Sequence, residues 1–394
     1  MAEAGRDELD PNGRRWLSLA VRRSVVEQTH PDSPRPSLVT AAVLQVITST
    51  KRRGAEVHAV DLDAALRALG REVRTVALAP SIDGSEVLAV PSLGRSSLGL
   101  ATLRHLRSEI AHTDVLVSHA SRTLPACYLA TLGTGQRFVY RSIGDAQHYA
   151  SSLSRRARVR RYLTRAEAVV ALWPVAADRL TQNFGVPSER ITVIPTGVPA
   201  ARFPAVDEAR RTAARARLGL AADEPVVLYL GWLIPEKGAH LAIQAMASMD
   251  DVTLLIAGDG PERVSLEALA TETARERIRF LGSVQDPAEV LAACDALVMP
   301  SLSEGLPAVL VEAGLTGLPA VASDIGAVRD VVLDGDTGVV VPAGDPSAIA
   351  SGLQVALEGG GELGANARAH CLRRFEIGVV AEQWNDLFAR MAPR

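Results

Sequence analysis

AVLQVITSTKRRGAEVHAVDLDAALRALGREVRTVALA, Ala42 to Ala79, runs through two apolar extended segments joined by a helical one. AVLQVITS is an apolar run of strand length. GAEVHAVDLDAALRALG spaces its apolar residues as a helix does, and REVRTVALA is extended and apolar again. A strand that returns through a helix to another strand lies parallel to it, with a right-handed crossover. TDVLVSH, RFVYRSI, AEAVVALW and RITVIP continue the alternation, with helical pieces between them, to about Gly197. The pattern then restarts with EPVVLYLGW, DDVTLLIAG, RIRFLGS, ALVMPS, PAVASD and TGVVVP. Two α/β domains follow, each a doubly wound, Rossmann-like parallel sheet, facing one another across a cleft.

The expected organisation is a leader over residues 1–37 and a first domain over 38–199. A polar helical connection covers 200–222, a second domain 223–375, and a last helix over 376–394 follows an already complete sheet and can cross back onto the first domain. Within the leader, Arg14 to Gln28 is compatible with an amphipathic helix between two turn clusters. Ligands of doubly wound sheets bind beyond the carboxyl ends of the strands, so the cleft is the expected site.

At 394 residues the chain has room for two domains, and its 47% hydrophobic content supplies two cores. A net charge of -3 argues against a nucleic-acid partner. Cys127, Cys294 and Cys371 share no metal-ligand spacing and read as buried reduced thiols of a cytoplasmic protein. The N-terminus carries acids with no apolar core, unlike a secretory signal, and no apolar run reaches membrane-span length. A soluble or at most peripheral membrane protein is expected.

Three strand-to-helix turns carry chemistry. In PSLSEGLPAVLVEAG, Pro300 to Gly314, a glycine turn at Gly305 leads into a helix near Ala308. Its free N–H groups and positive dipole end suit a diphosphate. Glu304 and Glu312 frame that terminus; carboxylates would repel phosphate, so sugar and ribose hydroxyls are their useful targets. A dipole partner and an exposed helix residue are the alternative readings. In LYLGWLIPEKGAHLAI, Leu228 to Ile243, a strand ends at Gly231 and Lys237 stands in the turn before a helix. Of 42 basic residues only Lys51 and Lys237 are lysine, so composition alone would have supplied arginine there. A lysine so placed reaches a phosphate as a flexible point charge, the alternative reading being a solvated surface lysine. In STKRRGAEVHA, Ser49 to Ala59, Gly54 permits close approach of a ligand, but no dinucleotide fingerprint accompanies it.

Glu304–Gly305–Leu306–Pro307 with Glu312 eight residues on resembles the donor-sugar motif of the family-4 retaining glycosyltransferases. Gly231 with Glu236–Lys237–Gly238 is similar to their phosphate turn. AGDGPER, FLGSV, ITVIPTGV and RRGAE are similar to further landmarks, in collinear order from about Val43 to Arg374. The resemblance implies a GT-B fold, a nucleoside-diphosphate-sugar donor with UDP favoured, no metal or other cofactor, and transfer with retention to an acceptor hydroxyl. It implies that Glu304 holds sugar hydroxyls and Glu312 the ribose. Lys237, with backbone N–H groups near Leu306, Ala308 and Val309, would neutralise the diphosphate. Gly282 to Val284 would flank the base, and Gly54 would touch the diphosphate from the facing domain.

The chain departs from the family pattern in several places. Trp232 stands where arginine is usual after Gly231, Arg53 replaces the first glycine of the N-terminal loop, and Thr196 stands where asparagine is common. His119, ending TDVLVSH, is the nearest match for the histidine expected beside the reacting sugar, and reads equally as a structural histidine. Where a second histidine would be sought, VYRSIGD offers Arg141, Ser142 and Asp145 instead. Arg155, Arg156, Arg158, Arg160, Arg161 and Arg165 gather on one expected helix, as a solvated face or as a contact for an anionic acceptor or membrane surface. A non-catalytic nucleotide-sugar binder and another GT-B enzyme, such as a nucleotide-sugar epimerase, are the alternatives. A pyridoxal-dependent phosphorylase needs a lysine that the chain does not have to spare.

Overall fold

The computed structural model describes residues 42–81, 87–144, 152–274 and 276–391. The expected leader and Asp145 lie outside them. The first sheet holds β1 (Val43–Ser49), β2 (Val73–Ala79), β3 (Val115–His119), β4 (Phe138–Ser142), β5 (Ala166–Ala171) and β6 (Ile191–Val193). Its strands run in the order β2-β1-β3-β4-β5-β6, all pairs parallel. The second holds β7 (Val226–Leu230), β8 (Thr253–Ala257), β9 (Ile278–Gly282), β10 (Ala296–Met299), β11 (Ala320–Ser323) and β12 (Gly338–Val341). Their order is β12-β11-β10-β7-β8-β9, again parallel throughout. The central strands are buried on both faces because helices cover both, which is why they read as apolar runs without alternation.

Strand order locates the cleft. The winding reverses between β1 and β3 in the first sheet and between β7 and β10 in the second. A crevice opens where the connections leave in opposite directions, at the carboxyl ends of those strands. The loops after β1, β7 and β10 are the three turns singled out from the sequence.

The chain crosses between the domains twice. The first crossing follows β6. At the second, Val198 donates its N–H to the Phe375 carbonyl over 2.8 Å, and Ile377 donates to Val198 over 3.1 Å. The last helix, Ile377–Met391, then packs on the first sheet: Trp384 and Phe388 are fully buried with Val43, Val117 and Val170. Arg71 anchors it, bonding the Asn385 side chain through Nε and donating from Nη2 to the Asn385 carbonyl over 3.1 Å. Asn385→Ala leaves that buried guanidinium short of an acceptor and is expected to cost about 1–2 kcal/mol, read by urea unfolding. Among the described residues no helix is long and apolar enough to cross a membrane.

Candidate active site

β7 ends at Leu230, and Gly231 donates its N–H to the Ala257 carbonyl at the end of β8. That close approach needs Gly258, whose φ is +142° and whose missing Cβ would lie 1.8 Å from the Gly231 carbonyl oxygen. The next side chain, Trp232, is 61% exposed. Tyr229 fixes the turn by donating its hydroxyl to the Trp232 carbonyl over 3.2 Å. Burial, with Glu304 next in weight, pushes the Tyr229 phenol up, so it remains a donor.

A single helical turn, Pro235–Lys237, follows and is tied to the β10 loop by Leu302 N–H on the Glu236 carbonyl, 2.8 Å. That tie brings Lys237 to Glu304: Nζ donates to Oε1 over 2.5 Å, and Ser301 Oγ donates to the same oxygen over 2.9 Å. The Glu304 side chain is 11% exposed and that of Lys237 32%, so the pair is screened from bulk water on one side only. Helix Ala308–Thr316 begins beside it, preceded by Pro307 with no side chain capping its first turn. Its free N–H groups therefore face the same space as the Lys237 ammonium.

A cavity of about 370 Å³ lies here between the domains. Gly54, Gly231, Trp232, Lys237, Glu304, Leu306, Ala308 and Val309 all line it, so eight of the thirteen sequence candidates meet at one cavity, Gly54 from the first domain and the rest from the second. An adjoining cavity of about 510 Å³ shares Gly231 and Trp232 and reaches Val284. Gly305 forms the contact between domains: a Cβ there would lie 2.6 Å from the Ile143 carbonyl oxygen.

Three candidates sit elsewhere. Arg53 immediately precedes the first helix without a side-chain capping bond and is exposed, outside the lining. Glu312 is half-buried one turn into its helix, and burial pushes its carboxyl up to about 7. Arg202 offsets this and Asp61 adds to it, those two forming an ion pair of 2.6 Å. His119, expected beside the reacting sugar, is 1% exposed and does not line the cavity. Its Nε2 bonds Gln45 Oε1 at 2.8 Å, and its ring lies 6.4 Å from Trp384 of the last helix. Burial, and then Arg141, hold the imidazole well below its usual range, hence neutral. A strand end buried on both faces encloses this histidine instead of presenting it.

The arginine cluster falls on helix Leu153–Leu163, and much of it has local work. Arg156 bonds the Asn183 carbonyl, Arg161 stacks 5.5 Å from the Tyr128 ring centroid, and Arg165, beyond the helix, holds the carbonyls of Thr131, Thr134 and Gln136.

Arg141, Thr196 and Ser301 also line the cavity and were not among the candidates. Arg141 had a readable signal: a lone guanidinium in the apolar strand Phe138–Ser142 is a rare thing to bury.

Two open parallel sheets with their switch points on a shared cleft define the GT-B class. The chain belongs, within it, to the glycosyltransferases of group 1. Glycosyl transferases group 1 matches residues 210–371, and Glycosyltransferase Family 4 matches residues 52–202. The chain is 33% identical over 297 residues to a D-inositol 3-phosphate glycosyltransferase of Xylanimonas cellulosilytica, spanning 71% of this chain and 68% of that one. It is 30% identical to the protein of the same description from Geodermatophilus obscurus, spanning 91% and 85%. Among solved structures, Anabaena HepE in complex with UDP and glucose superposes with a TM-score of 0.77 at 23% identity, covering 89% of this chain and 100% of that one. That likeness is one of fold.

Proposed function

We propose that the protein transfers a sugar from a nucleoside-diphosphate donor to an acceptor hydroxyl, with retention at the anomeric carbon and without a metal ion. The observation that carries this reading is the Lys237–Glu304 pair set against an uncapped helix N-terminus inside the interdomain cleft. A diphosphate entering there meets the Lys237 ammonium and the N–H groups of Ala308 and Val309. Together these stabilise the charge that develops on the leaving group, which is electrostatic catalysis requiring no cation from solution. Glu304, released from Lys237, accepts from the sugar hydroxyls. Glu312 accepts from the ribose, and the turn at Gly282 to Val284 flanks the base in the adjoining cavity. UDP is the favoured carrier, supported by the HepE complex with UDP. The first domain supplies the acceptor side.

The test is to incubate the protein with UDP-, GDP- and ADP-sugars in EDTA and follow release of the nucleoside diphosphate, reading the anomeric configuration of the released or transferred sugar by proton NMR. Release from one donor with the α-configuration kept is expected. A strict magnesium requirement would remove the metal-free mechanism, and an inverted product would remove retention. Tight binding with no release would favour the non-catalytic binder.

A further inference from the structure

Arg141 is the next-to-last residue of β4 on the first domain and is 1% exposed, yet it lines the interdomain cavity. Nη2 donates to Thr196 Oγ1 over 2.8 Å. Nε and Nη1 are buried and have no hydrogen-bond partner among the described residues. No carboxylate among the described residues pairs with it. Around it stand two further groups that could carry positive charge, His58 and His119. Burial, followed by the Arg141 charge, holds both well below their usual range. A guanidinium stripped of water that finds no counter-ion and lacks two acceptors among the described residues is a costly arrangement for a protein to keep. Burial pulls Arg141 down only to about 9, so it remains a cation at neutral pH. Such a group is explained if the missing counter-ion is a ligand.

The second domain points the same way. Trp232 stands in the phosphate turn at the position where a cation would help Lys237, and Lys237 is already bonded to Glu304. The cleft therefore offers a diphosphate little free positive charge from the second domain's side chains. Arg141 and Thr196 face that shortage across the same cavity.

We propose that Arg141, held by Thr196, is the cavity's second cation and binds a phosphate group through its unpartnered Nε or Nη1. Nη2 donates one N–H to Thr196 and keeps a second, which lies beside one of those two groups, so one planar fork remains for two phosphate oxygens, as a lysine would not offer. The inference rests on the reading of the cleft as a nucleoside-diphosphate-sugar site. The phosphate has two sources there, the donor's diphosphate or a phosphorylated acceptor.

Calorimetric titration of the wild type and Arg141→Met separates them, with UDP, GDP, ADP, uridine and orthophosphate as probes. If the donor is the source, the substitution weakens nucleoside-diphosphate binding by about 10- to 100-fold and leaves uridine unchanged. If the acceptor is the source, nucleotide affinity is kept, and orthophosphate no longer binds protein saturated with nucleotide. All affinities staying within about twofold of wild type would overturn the proposal. Should the variant not fold, a crystal of the wild type grown with nucleoside diphosphate and orthophosphate decides. A phosphate oxygen within hydrogen-bond distance of Nε or Nη1 supports the assignment, and water alone in that place overturns it. Wild-type protein that binds no nucleotide would instead overturn the proposed function, while its orthophosphate titration still tests Arg141.

Discussion

Lys237→Ala is expected to lower turnover of the sugar nucleotide by about 10²- to 10³-fold, as loss of one preorganised charge at a leaving group does elsewhere. Two effects add in the same direction. The variant removes the ammonium that meets the leaving diphosphate, and it unmasks the Glu304 carboxylate, which among the described residues keeps Ser301 as its one side-chain hydrogen-bond donor. An unpaired carboxylate in a partly dry cleft repels a diphosphate more than bulk electrostatics suggests. The double variant Lys237→Ala with Glu304→Gln should therefore bind nucleoside diphosphate more tightly than Lys237→Ala alone, although it stays slow. Lys237→Arg keeps the charge and should retain part of the rate. Steady-state kinetics and calorimetry on the four proteins separate the contributions. A Lys237→Ala enzyme with wild-type kcat and KM would take the lysine out of the mechanism.

The first of those two effects was available from the sequence because charge, turn and helix start all lie within a few residues of one another. Strand runs such as VVLYL and TLLIA announce themselves, and a lysine in a chain that avoids lysine stands out. What could not be read was which long-range neighbours each group meets. His119 ends its strand as expected, but the helix that covers it lies more than 250 residues later and brings Trp384 against its ring. The bond between Lys237 and Glu304 spans 67 residues and depends on β7 and β10 being neighbours in the sheet, an order that the sequence does not state. Arg141 and Thr196 each looked like a separate departure from a family pattern. Only the adjacency of β4, β5 and β6 shows that they touch.

Glu312 joins stability to ligand binding. Its carboxyl titrates near 7 when folded, against the usual 4.5, with burial as the main cause. The folded chain therefore holds a proton that the unfolded chain has released between those two values, and unfolding stability falls as pH rises through the interval. The stability this group contributes is full below about 4.5 and is lost as pH rises through about 7. A half-buried side chain limits the cost of the ionised form to about 3 kcal/mol at most. Glu312→Gln removes the titration, so at pH 8 its thermal midpoint should exceed that of the wild type by about 2–5 °C, and at pH 5 most of that difference should be gone. Binding should move oppositely. Only the ionised carboxylate can accept from both ribose hydroxyls, so at pH 8 the glutamine variant should bind the nucleotide about 10-fold more weakly. At pH 6 the two proteins should converge, because the wild type must first lose its proton. That loss is measurable: nucleotide binding at pH 6 should release more protons from the wild type than from Glu312→Gln, whose release comes from the nucleotide's own terminal phosphate, the difference being detected calorimetrically in buffers of different ionisation enthalpy. Equal proton release by both proteins would place the titrating group elsewhere and leave Glu312 with no part in holding the ribose.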